Sequence, residues 1–330
     1  MRRAALVLPL LLAWTATARA EGEPQLTGFQ PALGAGEGPP ALASYRLPEE
    51  RFAITLGPAE QRRSFVRREV SYPSPLKERW PVIHATYYAP TRRAPGRRLP
   101  AAVVVHHLGG DFGAEAWLAQ HLAQHGVPAV FIALPNYGAR REPGTKQGFL
   151  SEQDPVGSFG AFRQAALDVI RSADFLRAMP EVDPQQVGLV GVSLGAVVGA
   201  LARGVDPRLG RTVLVIGGAD VTTLVRESSE VKDLFQRALT RAKVDPAELP
   251  RLLAPVEPLT FASRIRTEDV LMINARRDEV VPEACTLALW EATGRPRLEW
   301  LDCGHYGAAL HILRIMNASL EHLRGGPPSK

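Results

Sequence analysis

One serine of this 330-residue chain, Ser193, stands between two glycines in Gly191-Val192-Ser193-Leu194-Gly195, after the apolar run Gln185–Val192 and before a small-residue stretch ending at Gly204. A G-x-S-x-G run between a strand and a helix forces a sharp turn in which the glycines let backbones pack tightly and the serine oxygen projects. A serine hydroxyl is a weak nucleophile until a neighbouring base takes its proton, and that base needs an acid to orient it. The chemistry to look for is therefore acyl transfer at Ser193. The competing reading is a turn serine that only caps the helix behind it.

If the order along the chain is serine, acid, histidine, only three of the eight histidines qualify, His305, His311 and His322. The last two fall inside a predicted terminal helix. His305 sits in Asp302-Cys303-Gly304-His305-Tyr306-Gly307, a loop with room for an imidazole, and is the candidate base. Asp278, just past the apolar run Val270–Ala275, is the candidate acid. Asp269 begins the same run and lies at its wrong end, and Asp302 is too near His305 to fold back onto its ring. Asp220, after the run ending at Gly218, stays open as a rival acid. An oxyanion needs backbone donors. Leu194, at the start of a helix, offers one, and Leu108, followed by Gly109 and Gly110, offers the other.

The positions of these residues depend on the elements around them. Residues 21–60 are rich in Gly and Pro and read as an extended leader. From Ser64 short β-rich runs begin, and from Ala101 strands and helices alternate to a final helix over about Tyr306–Leu323. Such alternation predicts an α/β fold, a doubly wound, mostly parallel sheet with its chemistry at the carboxyl ends of the strands. The stretch 220–262 is longer than a connection requires and reads as a small helical cap, or as an ornamental helix pair. The loop 135–159 is a second candidate wall. The basic cluster Arg92, Arg93, Arg97 and Arg98 reads as a solvated hairpin loop.

With 45% hydrophobic residues, the chain can bury one large core, assigned to residues 61–325. Residues 1–20 combine two arginines, an apolar stretch and small residues at Ala18 and Ala20, the pattern of a secretory signal peptide, and imply a secreted or periplasmic protein with no stable membrane anchor. Their removal takes away Arg2, Arg3 and Arg19 and no acid, so the formal charge falls from +5 to +2, which weakens any nucleic-acid reading. In an oxidising compartment Cys285 and Cys303 either pair or stay as buried thiols. His121 and His125 are spaced i, i+4, but Leu122 stands where a metalloprotease pattern needs glutamate, so neither a metal nor another cofactor is implied.

Four segments in order, His106–Gly110, Gly191–Ala196, Arg276–Pro282 and Cys303–Gly307, resemble the α/β-hydrolase superfamily, particularly its dienelactone-hydrolase-like and acetyl-xylan-esterase-like members. The resemblance spans roughly Ser64–Leu323. It implies Ser193 as nucleophile, His305 as general base and acid, Asp278 as orienting carboxylate, and Leu108 and Leu194 as oxyanion donors. Many members carry glycine where this chain has His107, so the oxyanion loop is expected to differ. The expected activity is cleavage of a small carboxylic ester through an acyl-enzyme. A thioesterase, a peptidase of the same fold and a noncatalytic binding protein on the same scaffold are the alternatives.

Overall fold

The computed structural model describes residues 26–141, 149–151 and 155–325; the stretch read as a signal peptide lies outside them. The first strands are β1 (Leu26–Gln30), β2 (Glu50–Leu56), β3 (Glu60–Gln61), β4 (Phe65–Pro73) and β5 (Val82–Pro90), all paired antiparallel. Strands and helices then alternate through β6 (Leu99–Val105), α1 (Gly113–Gln124), β7 (Ala129–Ile132), α2 (Pro155–Ala178), β8 (Val182–Val192), α3 (Leu194–Val205) and β9 (Thr212–Val215). The helices α4 (Val221–Glu227), α5 (Lys232–Ala242), α6 (Leu249–Leu253) and α7 (Pro258–Phe261) precede β10 (Val270–Ala275), α8 (Glu283–Ala292), β11 (Arg297–Leu301) and α9 (Ile312–Arg324).

These strands form one sheet in the order β1-β2-β4-β5-β7-β6-β8-β9-β10-β11, with β3 beside β4, and every pairing from β7 to β11 is parallel. The central strands are apolar without interruption because both faces are covered. Along β6, Val103 and Val105 enter the core shared with α2 and α3, while Ala102 and Val104 enter the one shared with α1 and α9. This is the doubly wound architecture that the alternation implied, and its parallel strands all deliver their carboxyl ends to one rim.

Three details differ from the sequence reading. Residues from Leu26 onward, read as leader, carry β1 and β2 into the sheet and bury Leu33, Leu42, Tyr45, Phe52 and Ile54. The alternation of Phe52, Ile54 and Leu56 was the signal, hidden among flanking Gly and Pro residues. The basic loop around Gly96 is not a hairpin, since β7 lies between β5 and β6. Tyr306–His311 forms a 3-10 turn, and the α-helix starts only at Ile312. Cys285 and Cys303 are both buried thiols, and burial pushes that of Cys285 up to about 12.

A fully buried apolar side chain contributes about 1.5–3 kcal/mol, so the five core residues of the 26–56 segment contribute an amount comparable with the about 5–15 kcal/mol net stability of a domain. Phe52 lies under the Arg171 guanidinium, 4.2 Å from its ring centre, and beside Tyr72. Phe52→Ala is expected to lower stability by about 3–5 kcal/mol, and a chain starting at Gln61 is expected to give no cooperative thermal transition by circular dichroism. A sharp, unshifted melt for either protein would show this segment to be dispensable.

Candidate active site

Ser193 is the residue between β8 and α3, and its backbone is in the positive-φ region, at φ 52 and ψ −114. A non-glycine residue there is strained by about 1–3 kcal/mol and needs its surroundings to hold it. Two contacts of backbone on backbone do so. A Cβ added at Gly191 would stand 2.1 Å from the Gly195 carbonyl oxygen, and one at Gly195 would stand 2.3 Å from that of Val105. Neither position tolerates any side chain. The Ser193 amide donates to the Val215 carbonyl at 2.9 Å, and the Ser193 carbonyl accepts from Ala196 at 2.8 Å, so the turn is pinned from both sides.

The loop after β11 brings His305 to this turn, with its Nε2 2.9 Å from Ser193 Oγ. The loop after β10 brings Asp278, whose Oδ2 and Oδ1 lie 2.8 and 2.9 Å from His305 Nδ1. All three groups are nearly closed to solvent, with the His305 and Asp278 side chains 6% and 2% exposed. Asp278 Oδ1 also accepts from the Val280 and Val281 amides at 3.0 and 2.7 Å, so the carboxylate is a turn residue and a histidine partner at once. The rival acids are used elsewhere. Asp220 caps α4 through Thr223, and Asp302 pairs with Arg277 on the surface. His322 bonds the Asp269 carbonyl, and His311 ends the 3-10 turn.

The loop after β6 carries two adjacent histidines with opposite surroundings. His106 is buried, which pushes it down to about 4. Its neutral ring accepts from the Leu134 amide at Nε2, at 3.1 Å, and its Nδ1 donates to the His107 carbonyl at 2.7 Å. His107 is raised instead, above all by its Nδ1 hydrogen bond to Glu115 Oε1 at 2.5 Å. Burial works to raise the Glu115 carboxyl, but the contact with His107 outweighs it and the net shift is downward. The sequence gives neither His106 nor Glu115 a role of its own. An acid in the first turn of a helix is common, and nothing in its spacing says that it faces a loop eight residues back.

Leu108 and Ser193 line two cavities. One, of about 60 Å³, also has Leu194 in its wall and is closed by Phe159, Phe162, Val225 and Phe235. The other, of about 170 Å³, lies towards α1 and α9 and includes His305, Tyr306, His107 and Ile312. Of the stretch 220–262, the part from Val221 to Phe235 supplies the cavity wall, whereas α7 packs against α3 and Phe261 meets the ring of Tyr45. Of the stretch 135–159, Leu150 lies in the same wall and so does Phe159, which belongs to α2 and not to a loop; residues 142–148 and 152–154 lie outside those described. The rings of His121 and His125 lie 4.3 Å apart on α1, and no group of three metal-binding side chains occurs among the described residues. No described helix is long and apolar enough to cross a membrane.

The structure is similar to an acetyl xylan esterase from Paenibacillus sp. R4, with a TM-score of 0.65 and 23% identity over 80% of this chain and 87% of that one. It is also similar to acetyl xylan esterase 1 from Thermoanaerobacterium sp. JW/SL YS485, with a TM-score of 0.61 and 20% identity over 82% and 87% of the two chains. The acylaminoacyl peptidase of Pyrococcus horikoshii aligns with 86% of this chain and 47% of its own, at a TM-score of 0.61 and 15% identity. The chain therefore has the α/β-hydrolase fold, a doubly wound, mostly parallel sheet with a small helical cap. By sequence it is 25% identical over 199 residues to an uncharacterized protein of Mycobacterium tuberculosis, a match covering 59% of this chain and 46% of that protein. The aligned region thus spans about half the length of that relative. No protein-family model matches the chain.

A methyl group at Gly195 meets the carbonyls of Val105 and His106, consecutive residues at the end of β6, so neither can move alone. Gly195→Ala is expected to cost at least about 1–3 kcal/mol and to displace Ser193 from His305. Thermal melting and the rate of covalent labelling of Ser193 check this, and an unshifted melt with normal labelling would show that the turn has slack.

Proposed function

We propose that the chain is a serine hydrolase that cleaves carboxylic esters through an acyl-enzyme. The observation that carries this reading is the unbroken hydrogen-bonded series Ser193 Oγ, His305 Nε2, His305 Nδ1, Asp278 carboxylate, at 2.9 and 2.8 Å, in a nearly closed site. With Asp278 accepting from Nδ1–H, the free lone pair of His305 is on Nε2 and faces the hydroxyl. Ser193 Oγ attacks the ester carbonyl while its proton passes to Nε2, and the carbonyl electron pair moves onto oxygen. Leu194, the first residue of α3, has no carbonyl one turn back within the helix, so its amide is available to that oxyanion. Leu108 supplies the second amide.

His305 then gives its proton to the leaving alcohol as the carbon–oxygen bond breaks. A water, deprotonated by the same histidine, releases the acid and restores Ser193. The walls of both cavities are mainly apolar, which suits an uncharged small-molecule ester. The acetyl xylan esterases of similar fold support a carboxylic ester as the substrate. The arginine-led apolar segment over 1–20 supports export of the protein to an extracytoplasmic compartment.

Turnover of p-nitrophenyl esters is expected to fall by about 10⁶-fold in Ser193→Ala and by about 10⁴-fold in Asp278→Asn, where the imidazole tautomer is lost. A fluorophosphonate probe is expected to label the wild type and not Ser193→Ala. Equal labelling of both removes Ser193 from the role, and thioester and amide substrates in the same panel separate ester cleavage from its rivals.

A further inference from the structure

We propose that Glu115, acting through His107, is the positioning residue that turns the Leu108 amide towards Ser193. This builds on Ser193 as nucleophile and Leu108 as oxyanion donor. The sheet order supplies the directions. β6 runs between β7 and β8, so the loop leaving it has the β7 end on one side and Ser193, at the β8 end, on the other. The His106 ring leans to the β7 side, where it is bonded to Leu134, stacked on Phe112 at 3.8 Å and set edge-on to Tyr137 at 4.8 Å. Its Nδ1–H holds the His107 carbonyl on that side. In a trans peptide the N–H is antiparallel to the C=O, so the Leu108 amide points the opposite way, towards Ser193. The next amide, Gly109, donates back to the Tyr137 hydroxyl at 3.4 Å and is turned away.

That orientation lasts only if residue 107 cannot rotate. One buried oxygen prevents it. Glu115 Oε1 accepts from the His107 backbone amide at 3.1 Å and from its ring Nδ1–H at 2.5 Å. His106 fixes the carbonyl of residue 107 and Glu115 fixes its amide and ring, so both backbone dihedrals of that residue are determined. The anchor itself is rigid, since the Glu115 carboxylate is 2% exposed and stands in the first turn of α1. The Glu115 hydrogen bond, and after it the charges of Glu115, Asp111 and Glu230, favour the protonated ring of His107, which keeps the donor at Nδ1. A glycine at 107 would lack the ring contact and would leave that loop one tether short.

The test compares Glu115→Leu, which removes the acceptor of both bonds, with Glu115→Gln, whose single amide oxygen can accept from both donors. A donor moved by about 1 Å costs up to about 100-fold in rate, so Glu115→Leu is expected to lower kcat by about 10- to 100-fold with KM within about twofold. Glu115→Gln is expected to recover most of that kcat. Melting curves identify folded samples. If the Leu variant does not fold, Glu115→Asp replaces it, because its shorter arm cannot reach both donors and lowers kcat in the same way. A folded Leu or Asp variant with wild-type kcat, a loss confined to KM, or no recovery in the Gln variant overturns the assignment. Absence of both turnover and fluorophosphonate labelling at Ser193 in the wild type overturns the hydrolase reading and this proposal with it, whereas labelled and equally active wild-type and Leu proteins overturn only the role of Glu115.

Discussion

The contact of backbone on backbone beneath Ser193 is the constraint on which the rest depends. With Gly191 and Gly195 bare, the start of α3 can press against the end of β8 and against the Val105 carbonyl at the end of β6. That approach forces Ser193 to φ 52 and lifts its hydroxyl above the rim. It also fixes the spacing between the serine and the loop that follows β6, because both leave neighbouring strands within one turn of the contact. The strain at one residue is thus the consequence of a packing arrangement that several elements share.

Around this turn the sheet acts as an alignment device. β8, β10 and β11 run parallel, so the serine turn, the Asp278 loop and the His305 loop emerge on the same side. Ser193 and His305 are 112 positions apart in the chain, yet their hydrogen bond needs no long arm. The acid is not held by the histidine alone: two amides of its own turn already bind one of its oxygens. The carboxylate therefore presents itself to the imidazole in a fixed direction, with little freedom left to lose during a reaction.

The adjacent histidines show how position divides identical side chains into different roles. Burial outweighs the nearby Glu115 charge and keeps His106 neutral, able to accept at one nitrogen and donate at the other. A buried carboxylate one helical turn into α1 favours the charged form of His107. His106 thus holds the carbonyl of residue 107 while Glu115 holds its amide and ring, an arrangement that two glycines would not make. The cavities divide the space over Ser193 in a comparable way, one closed by aromatic side chains of α2 and α5 and one wider and bordered by His305.

Much of this is legible in the sequence. The Gly-x-Ser-x-Gly turn, the apolar runs that became β6, β8 and β10, and the loop position of His305 follow from local rules, because each depends on residues within a few positions of one another. Asp278 and Asp220 both follow strands, and only packing separates them: one faces the imidazole while the other caps α4. The strand at Phe52 is obscured by the Gly and Pro around it, since its pairing partners β1 and β4 lie outside the local pattern. Glu115 could not be found from the sequence, because what distinguishes it is the direction of its carboxylate, not its spacing. Local chemistry determined which turns and strands the chain can form; tertiary packing decided which side chains meet, since contacts between distant segments are set by the order and register of the sheet.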